Sequence, residues 1–486
     1  MAISVYNTLT RRLESLATRR PGEVGIYSCG VTVYDLSHVG HARSAIVFDV
    51  MQRYLRAKGY RVTFVRNYTD IDDKIIRRAN AEGVDASVIS ERYIAEFRAD
   101  MASIGVFEAD VEPKATAHVP EMIALIEQLV AKGVAYVVDG DVYFEVRRFA
   151  GYGKLSGKNL DDLMAGARVE VDERKRDPRD FALWKSTKPG EPSWPSPWGP
   201  GRPGWHIECS AMAMKYLGES FDVHGGGDDL IFPHHECEIA QSEAVTGTRF
   251  ASYWLHNGMV NMGAEKMSKS LGNILTIKEI VKRCPPDALR LWLVNAHYRN
   301  PIEFSEERLV ENTRALERFH AVIGEAMKVE SAAFFDVKRP AAFGDPPVWA
   351  APLASIDDAT LRETVAAACA RFEQAMDEDF GTPEARAALF GLARELEAYR
   401  RDGGDGRAFA HGVRTLVTLG RTLGLFEQLP DVAGPPAEVE CLVADRTDAR
   451  ARRDWKRADA LRDEIHRLGW MVEDSPTGSR ATRRTT

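Results

Sequence analysis

A doubly wound α/β domain, interrupted by an insertion and followed by helices, is the fold class this 486-residue chain predicts. Three observations carry it. Near the amino terminus strand-like and helix-like segments alternate, as in a parallel sheet with crossover helices. A stretch rich in Gly, Pro and Trp, "KPGEPSWPSPWGPGRPG", breaks the alternation, which then resumes. Beyond "PPDALRLWLVNAHY" the apolar spacing becomes helical and stays so.

In chain order, "VGIYSCGV" is an apolar strand ending in a glycine turn, and "SAIVFDVMQRYLRAKGY" a helix that stops at Gly59. "RVTFVRNYTD" is again strand-like, and "DIDDKIIRRANAEG" opens a helix with Asp72 and Asp73 in its first turn. "VAYVVDGDVYFEVRRF" reads as a hairpin turning at Asp139–Gly140. "WHIECSAMAMKYLG" and "FDVHGGGDDLIF" restore the alternation. Two Pro/Gly stretches, "KRPAAFGDPPVWAAP" and "EQLPDVAGPPAEVE", bracket an amphipathic region of bundle type. A last helix and strand carry Trp455, Lys456, Arg457, Arg462, Arg467, Trp470, Arg480, Arg483 and Arg484.

With 44% hydrophobic and 28% charged residues the composition is that of a globular chain, not a disordered one. No apolar stretch approaches the roughly 20 residues needed to span a bilayer. The opening "MAISVYNTLTRRLESL" has no signal-peptide core, so a cytoplasmic location is expected. A net charge of -8 argues against a wholly nucleic-acid-coating protein, while leaving room for a local basic face. Six scattered cysteines are no disulfide framework; they suit buried thiols or a metal site. No heptad pattern or internal repeat is present, and a monomer is expected.

Several clusters bear on chemistry. His38 and His41 flank Gly40 between a strand and a helix, where backbone amides and the helix dipole favour phosphate. Lys266 and Lys269 lie in the Gly/Ser-rich "AEKMSKSLGN", suited to charge developing on a leaving pyrophosphate. Asp229, after three glycines, is placed to accept ribose hydroxyls. Cys29, Cys209 and the segment "PHHECE" are candidates for zinc. His234 and Glu238 would share a helix face, but spacing alone leaves His235 and Cys237 as rivals.

The His-x-Gly-His turn paired with Lys-Met-Ser-Lys-Ser resembles the signature of class I aminoacyl-tRNA synthetases. "CGVTVYDLSHVGHAR", "NYTDIDDKI", "GRPGWHIECSAM", "DVHGGGDDLIFPHHECEIAQSE", "EKMSKSLGN", "AMDEDFGTPEA" and "VEDSPTG" together resemble the cysteinyl-tRNA synthetase family. Val31, Val39 and Gly381 depart from its commoner residues, and Gly381 bears on a helix cap.

The resemblance implies a Rossmann-like catalytic domain with halves at 1–133 and 204–260, and a connective insertion at 134–203. A KMSKS loop and stem-contact region would occupy 261–327, a helical bundle 350–427, and an anticodon-binding module 440–486. It implies one Zn2+ on Cys29, Cys209, His234 and Glu238, with Thr32, Thr69, Trp205 and His224 around substrate cysteine. Gly40, Asp229 and Lys269 would bind ATP, which brings Mg2+; His38, His41, Lys266 and Lys269 would be catalytic. The implied reaction joins L-cysteine to tRNA(Cys) through a cysteinyl-adenylate. The related cysteine ligase of mycothiol biosynthesis and a silent RNA-binding homologue are the alternatives; the long carboxy-terminal extension disfavours the first and the intact motifs the second.

Overall fold

The computed structural model describes residues 2–158, 173–262, 265–266, 275–337, 343–430, 437–475 and 478–483. Its centre is a parallel sheet with strands ordered Ala251–Asn257, Phe221–Gly227, Glu23–Thr32, Arg61–Thr69. The first strand in sequence thus has its successor on one side and the later pair on the other. That reversal opens a crevice at the carboxyl ends of Glu23–Thr32 and Phe221–Gly227, where doubly wound sheets bind ligands.

Alternating residues send the sheet into two cores. Ile26, Phe64, Val223 and Leu255 pack on one side; Tyr27, Val65 and Trp254 pack on the other. The helix Val39–Ala57 covers the first face, and the chain leaves it at Gly59, whose φ of 87° is left-handed. Its Phe48 is buried, a contribution of about 1.5–3 kcal/mol. The ring lies against the strand at Gly225, where an added Cβ would fall 2.2 Å from it. Gly225→Ala would therefore force helix and sheet apart.

The insertion forms an antiparallel sheet of Ala135–Val138, Asp141–Phe144, Phe181–Ser186 and Gly201–Pro203. Its hairpin turns at Asp139 and Gly140, with φ of 50° and 85°, the two left-handed residues of a tight turn. Downstream lie helices Glu306–Ala326, Ala359–Asp377, Thr382–Arg401 and Gly406–Thr422. Phe319 of the first packs on Phe390 at 4.4 Å and Phe426 at 5.2 Å, so helical packing begins before residue 350. The reason is its apolar stripe of Leu309, Leu316, Phe319 and Ile323, which is continuous with the later helices' core. Gly381, preceding Thr382–Arg401, supplies no side-chain cap.

Helices Ala437–Ala451 and Trp455–Arg467 and the hairpin Trp470–Ser475/Gly478–Arg483 have their own small core of Val439, Val443, Ile465 and Trp470. Among the described residues no helix is long and apolar enough to cross a membrane.

Candidate active site

His38 caps the helix Val39–Ala57, its Nδ1 accepting from Gly40 N at 3.1 Å, while His41 Nδ1 accepts from His38 N at 3.2 Å. The two rings stack with centroids 3.8 Å apart. An acceptor role for both Nδ1 atoms puts the hydrogen of each neutral ring on Nε2. The helix start adds its positive dipole end.

This turn is laddered to the chain after the lysine-rich loop. Val39 N donates to Leu275 O and Ile277 N to Ser37 O, both at 3.1 Å, and His38 bridges Thr276. Lys266 lies in the short strand Glu265–Lys266, which pairs with Val260–Met262. Lys269 lies outside the described residues.

A cleft of about 380 Å³ opens above the crevice, lined by Cys29, Thr32, His38, Gly40, His41, Trp205, Asp229 and the segment 257–260. That last segment and Arg66 carry no motif in the sequence, whereas Tyr34 and Lys74, which also line the cleft, lie within "CGVTVYDLSHVGHAR" and "NYTDIDDKI" without an assigned role. Trp205 is 39% exposed and stacks on His234 at 4.2 Å, so it is a cleft wall and not a core aromatic. Two expected wall residues lie one layer behind. Thr69 is buried and donates to Glu208 Oε2 at 2.8 Å, and fully buried His224 has Nε2 2.8 Å from Glu238 Oε2. Asp72 caps the helix Asp73–Glu82, and Asp73 pairs with Lys185 and Arg202.

Beneath the cleft, donors from three elements converge. Cys29 comes from the strand Glu23–Thr32 and Cys209 from the helix Trp205–Leu217. His234 and Glu238 follow the bend at Phe232, which is extended before the chain winds into the helix Glu236–Thr246. Cys29 Sγ is 3.7 Å from Cys209 Sγ and 3.4 Å from Glu238 Oε1, and His234 Nε2 is 3.0 Å from that same oxygen. Tetrahedral zinc with ordinary bond lengths has edges of about 3.3–3.7 Å. The donor set therefore fits one zinc ion.

A second combination, Cys29, His224, His235 and Glu238, also brings its donor atoms within 4.8 Å of one another. It offers a single thiol, and His235 Nε2 is 4.0 Å from Glu238 Oε1. His235 is also engaged by His256 Nε2, 2.8 Å from its Nδ1. Two sulfurs against one favour the first set.

The charges agree. Burial opposes ionisation of Glu238, but His224 and His234 hold its carboxyl well below the usual range. Burial likewise opposes the Cys209 thiolate, yet the bond from Cys29, with His234, draws its pKa down to about 6. Burial would also keep His234 neutral, but Glu238 and Cys209 raise its pKa to about 10. A buried pocket that already stabilises a carboxylate and a thiolate is one a cation suits. His206, whose Nδ1 is 2.9 Å from His234 Nδ1, joins this shell; it lies within "GRPGWHIECSAM" without an assigned role.

In the carboxy-terminal module Trp455 is 58% exposed and Lys456, Arg457, Arg462 and Arg467 are exposed with it. Trp470, by contrast, is buried in the module's core and presents no face for stacking. The side chains of Arg480 and Arg483, and all of Arg484, lie outside what is described.

Three family models match the chain: the tRNA synthetases class I (C) catalytic domain over residues 15–314, the DALR domain over 371–427, and the cysteinyl-tRNA ligase anticodon binding domain over 433–480. A cysteine–tRNA ligase of Pelobacter propionicus is 50% identical over 99% of both chains, and one of Geobacter sulfurreducens is 51% identical over 99% of both. Among solved structures, Mycobacterium tuberculosis methionyl-tRNA synthetase with methionyl-adenylate has a TM-score of 0.57 at 17% identity, covering 82% of this chain and 89% of its own. A LeuRS–tRNA–LeuAMS complex from Agrobacterium radiobacter K84 has a TM-score of 0.61 at 12% identity, covering 85% and 87%. At such identities these structures share the fold.

Proposed function

This chain belongs to the cysteine–tRNA ligases, class I enzymes that charge tRNA with cysteine, and from that membership we propose how its own residues divide the work. It binds cysteine, ATP and tRNA. Cytoplasmic residence and a monomeric state belong to the proposed reading.

Cys29, Cys209, His234 and Glu238 hold one zinc ion at the floor of the cleft; the spacing of these four donors is the observation that carries the reading. Bound there, zinc supplies a soft Lewis acid that selects the thiolate of cysteine over the hydroxyl of serine. Trp205 walls the amino acid from the side, with Thr32 at the end of the strand that bears Cys29. Thr69 and His224 act from behind, through Glu208 and Glu238.

In the first step the cysteine carboxylate attacks the α-phosphate of ATP and pyrophosphate leaves. His38 and His41 offer Nε2–H donors to phosphate oxygens, and Gly40 lets the nucleotide approach the helix start. Lys266 and Lys269 neutralise charge gathering on the leaving pyrophosphate, whose Mg2+ arrives with ATP. Asp229 accepts from the ribose. In the second step a terminal ribose hydroxyl of tRNA attacks the cysteinyl carbonyl and AMP leaves. Residues 1–133 and 204–260 form the catalytic domain, 134–203 the insertion, 261–327 the KMSKS and stem-contact region, 350–427 the bundle, and 440–486 the anticodon module.

The match of 433–480 to an anticodon-binding domain supports tRNA over an amino sugar as acceptor. The test is transfer of labelled cysteine to tRNA, with and without a zinc chelator, against serine. Charging with cysteine alone, abolished by the chelator and restored by zinc, is the expected result. Chelator-resistant charging would remove zinc from the mechanism.

A further inference from the structure

We propose that Arg43 and Asp379 are positioning residues that set the ATP cleft by holding, from opposite sides, the segment 293–299 on which one cleft wall rests. The proposal rests on the reading of that cleft as the ATP site.

Arg43 lies in the helix capped by His38, two residues beyond His41, and is 1% exposed. Its guanidinium bonds to main-chain carbonyls: Nη1 to Leu293 O, and Nη2 to His297 O at 2.9 Å and to Ala296 O and Tyr298 O at 3.3 Å. These carbonyls end and follow the helix Pro286–Leu293, where a cation complements the dipole. Both Nη atoms are thus satisfied although the buried Nε has no partner, and an apolar side chain would fill this space without the cost of burying a guanidinium. The guanidinium is therefore suited to gripping a particular loop.

The carbonyl of Tyr298 makes the connection to the cleft. It accepts from Arg43 and also from Gly258 N at 2.9 Å. Gly258 lines the same cleft as His38 and His41, and Met259 beside it accepts from Ile302 N at 2.9 Å. The approach is close: a Cβ on Gly258 would lie 2.4 Å from Asn300 C. One oxygen thus ties the histidine helix to the 257–260 segment of the cleft lining.

Asp379 holds the other side. It comes from "AMDEDFGTPEA", a motif to which the proposed chemistry assigns no step. Its Oδ1 accepts from Tyr6 N at 2.7 Å and Tyr298 OH at 2.8 Å, and its Oδ2 from Arg299 Nε at 2.7 Å. Asp379 and Phe380 both have left-handed φ, 54° and 52°, a conformation kept only where its surroundings enforce it. The carboxylate links the amino-terminal hairpin and the helical region to the loop under the ATP cleft.

The zinc-loaded full-length chain is assayed by cysteine-dependent pyrophosphate exchange as wild type, Arg43→Lys, Asp379→Asn and Tyr298→Phe. Lys keeps the charge but loses the fork, Asn tolerates the left-handed backbone, and Phe deletes one hydroxyl. The expected result is a rise of about tenfold in KM for ATP in the first two variants and a smaller rise in the third, with KM for cysteine within about twofold. Melting measured alongside identifies any variant that fails to fold, for which Tyr298→Phe stands in. An unchanged KM for ATP in folded variants, or equal rises for ATP and cysteine, would overturn the proposal. Absence of exchange by the zinc-loaded wild type would overturn the reading of the site, and the proposal with it.

Discussion

Nε2 of His224 stands 2.8 Å from Glu238 Oε2, and both side chains are completely buried. The contact fixes one carboxylate oxygen so that the other, Oε1, faces His234 and Cys29. Partners of metal ligands typically contribute 10–100-fold to affinity. His224→Asn is expected to weaken zinc binding by about that factor in competition with a chromophoric chelator, and unchanged affinity would count against the arrangement. Cys209→Ser and His235→Asn decide between the two donor sets. The assigned set predicts loss of bound zinc in the first and retention in the second.

The stacked His38 and His41 form a reciprocal capping box, but unequally: His38 satisfies an amide inside the helix, whereas His41 accepts only from the amide of His38 itself. His38→Ala should cost about 1 kcal/mol of stability as well as activity. His41→Ala keeps the bond from Gly40 N to His38, loses the one from His38 N, and should lower kcat for pyrophosphate exchange by about 10²–10³-fold, the usual cost of losing one oriented donor to a developing charge. KM for cysteine should not change. A fall in Tm larger for His41→Ala than for His38→Ala would contradict this division.

The parallel sheet was legible because Ile26, Tyr27, Phe64 and Val65 alternate between two cores, and the histidine turn because strand, small residues and helix follow in order. The metal donors were legible only as residue types. Cys29 and Cys209 are brought together by a sheet and a helix distant in sequence; His206 sits in "GRPGWHIECSAM" but gains its role only from helix placement, and His256 enters through strand placement without a motif. Trp205 and Trp470 could not be sorted, since both follow glycine at the start of an element and only packing exposes one and buries the other. Gly258 and Tyr298 carry no periodic signal, as their meeting is between main-chain atoms.

Asp100 gives a pH prediction. It is 2% exposed, its Oδ2 has no hydrogen-bond partner, and burial, little relieved by Lys278, raises its pKa to about 6. A carboxyl whose pKa is higher folded than unfolded takes up a proton on folding. Its stabilisation is complete below the unfolded value of about 3.9 and is lost as pH rises through 6. Asp100→Asn should therefore raise stability at pH 7–8 by about 1 kcal/mol after allowance for screening, with the gain fading toward pH 4. Thermal melts of both proteins across that range measure it; a pH-independent difference would assign the effect to packing.

Trp455 opens the helix Trp455–Arg467 with more than half its surface in solvent, beside exposed Lys456 and Arg457. An indole left this exposed forgoes the burial that Trp470 gains in the module's core. A ring next to cations suits an unstacked base with its phosphate, worth about 1–3 kcal/mol per base by substitution. Trp455→Ala is accordingly expected to raise KM for tRNA about tenfold or more while leaving pyrophosphate exchange unchanged, because exchange needs no tRNA. Lys456→Ala and Arg457→Ala should instead flatten the salt dependence of tRNA binding, each by about one charge. If Trp455→Ala binds and charges tRNA as wild type does, recognition by this module belongs to another face. Trp470→Ala should melt the hairpin from the helices, which circular dichroism distinguishes from a surface effect.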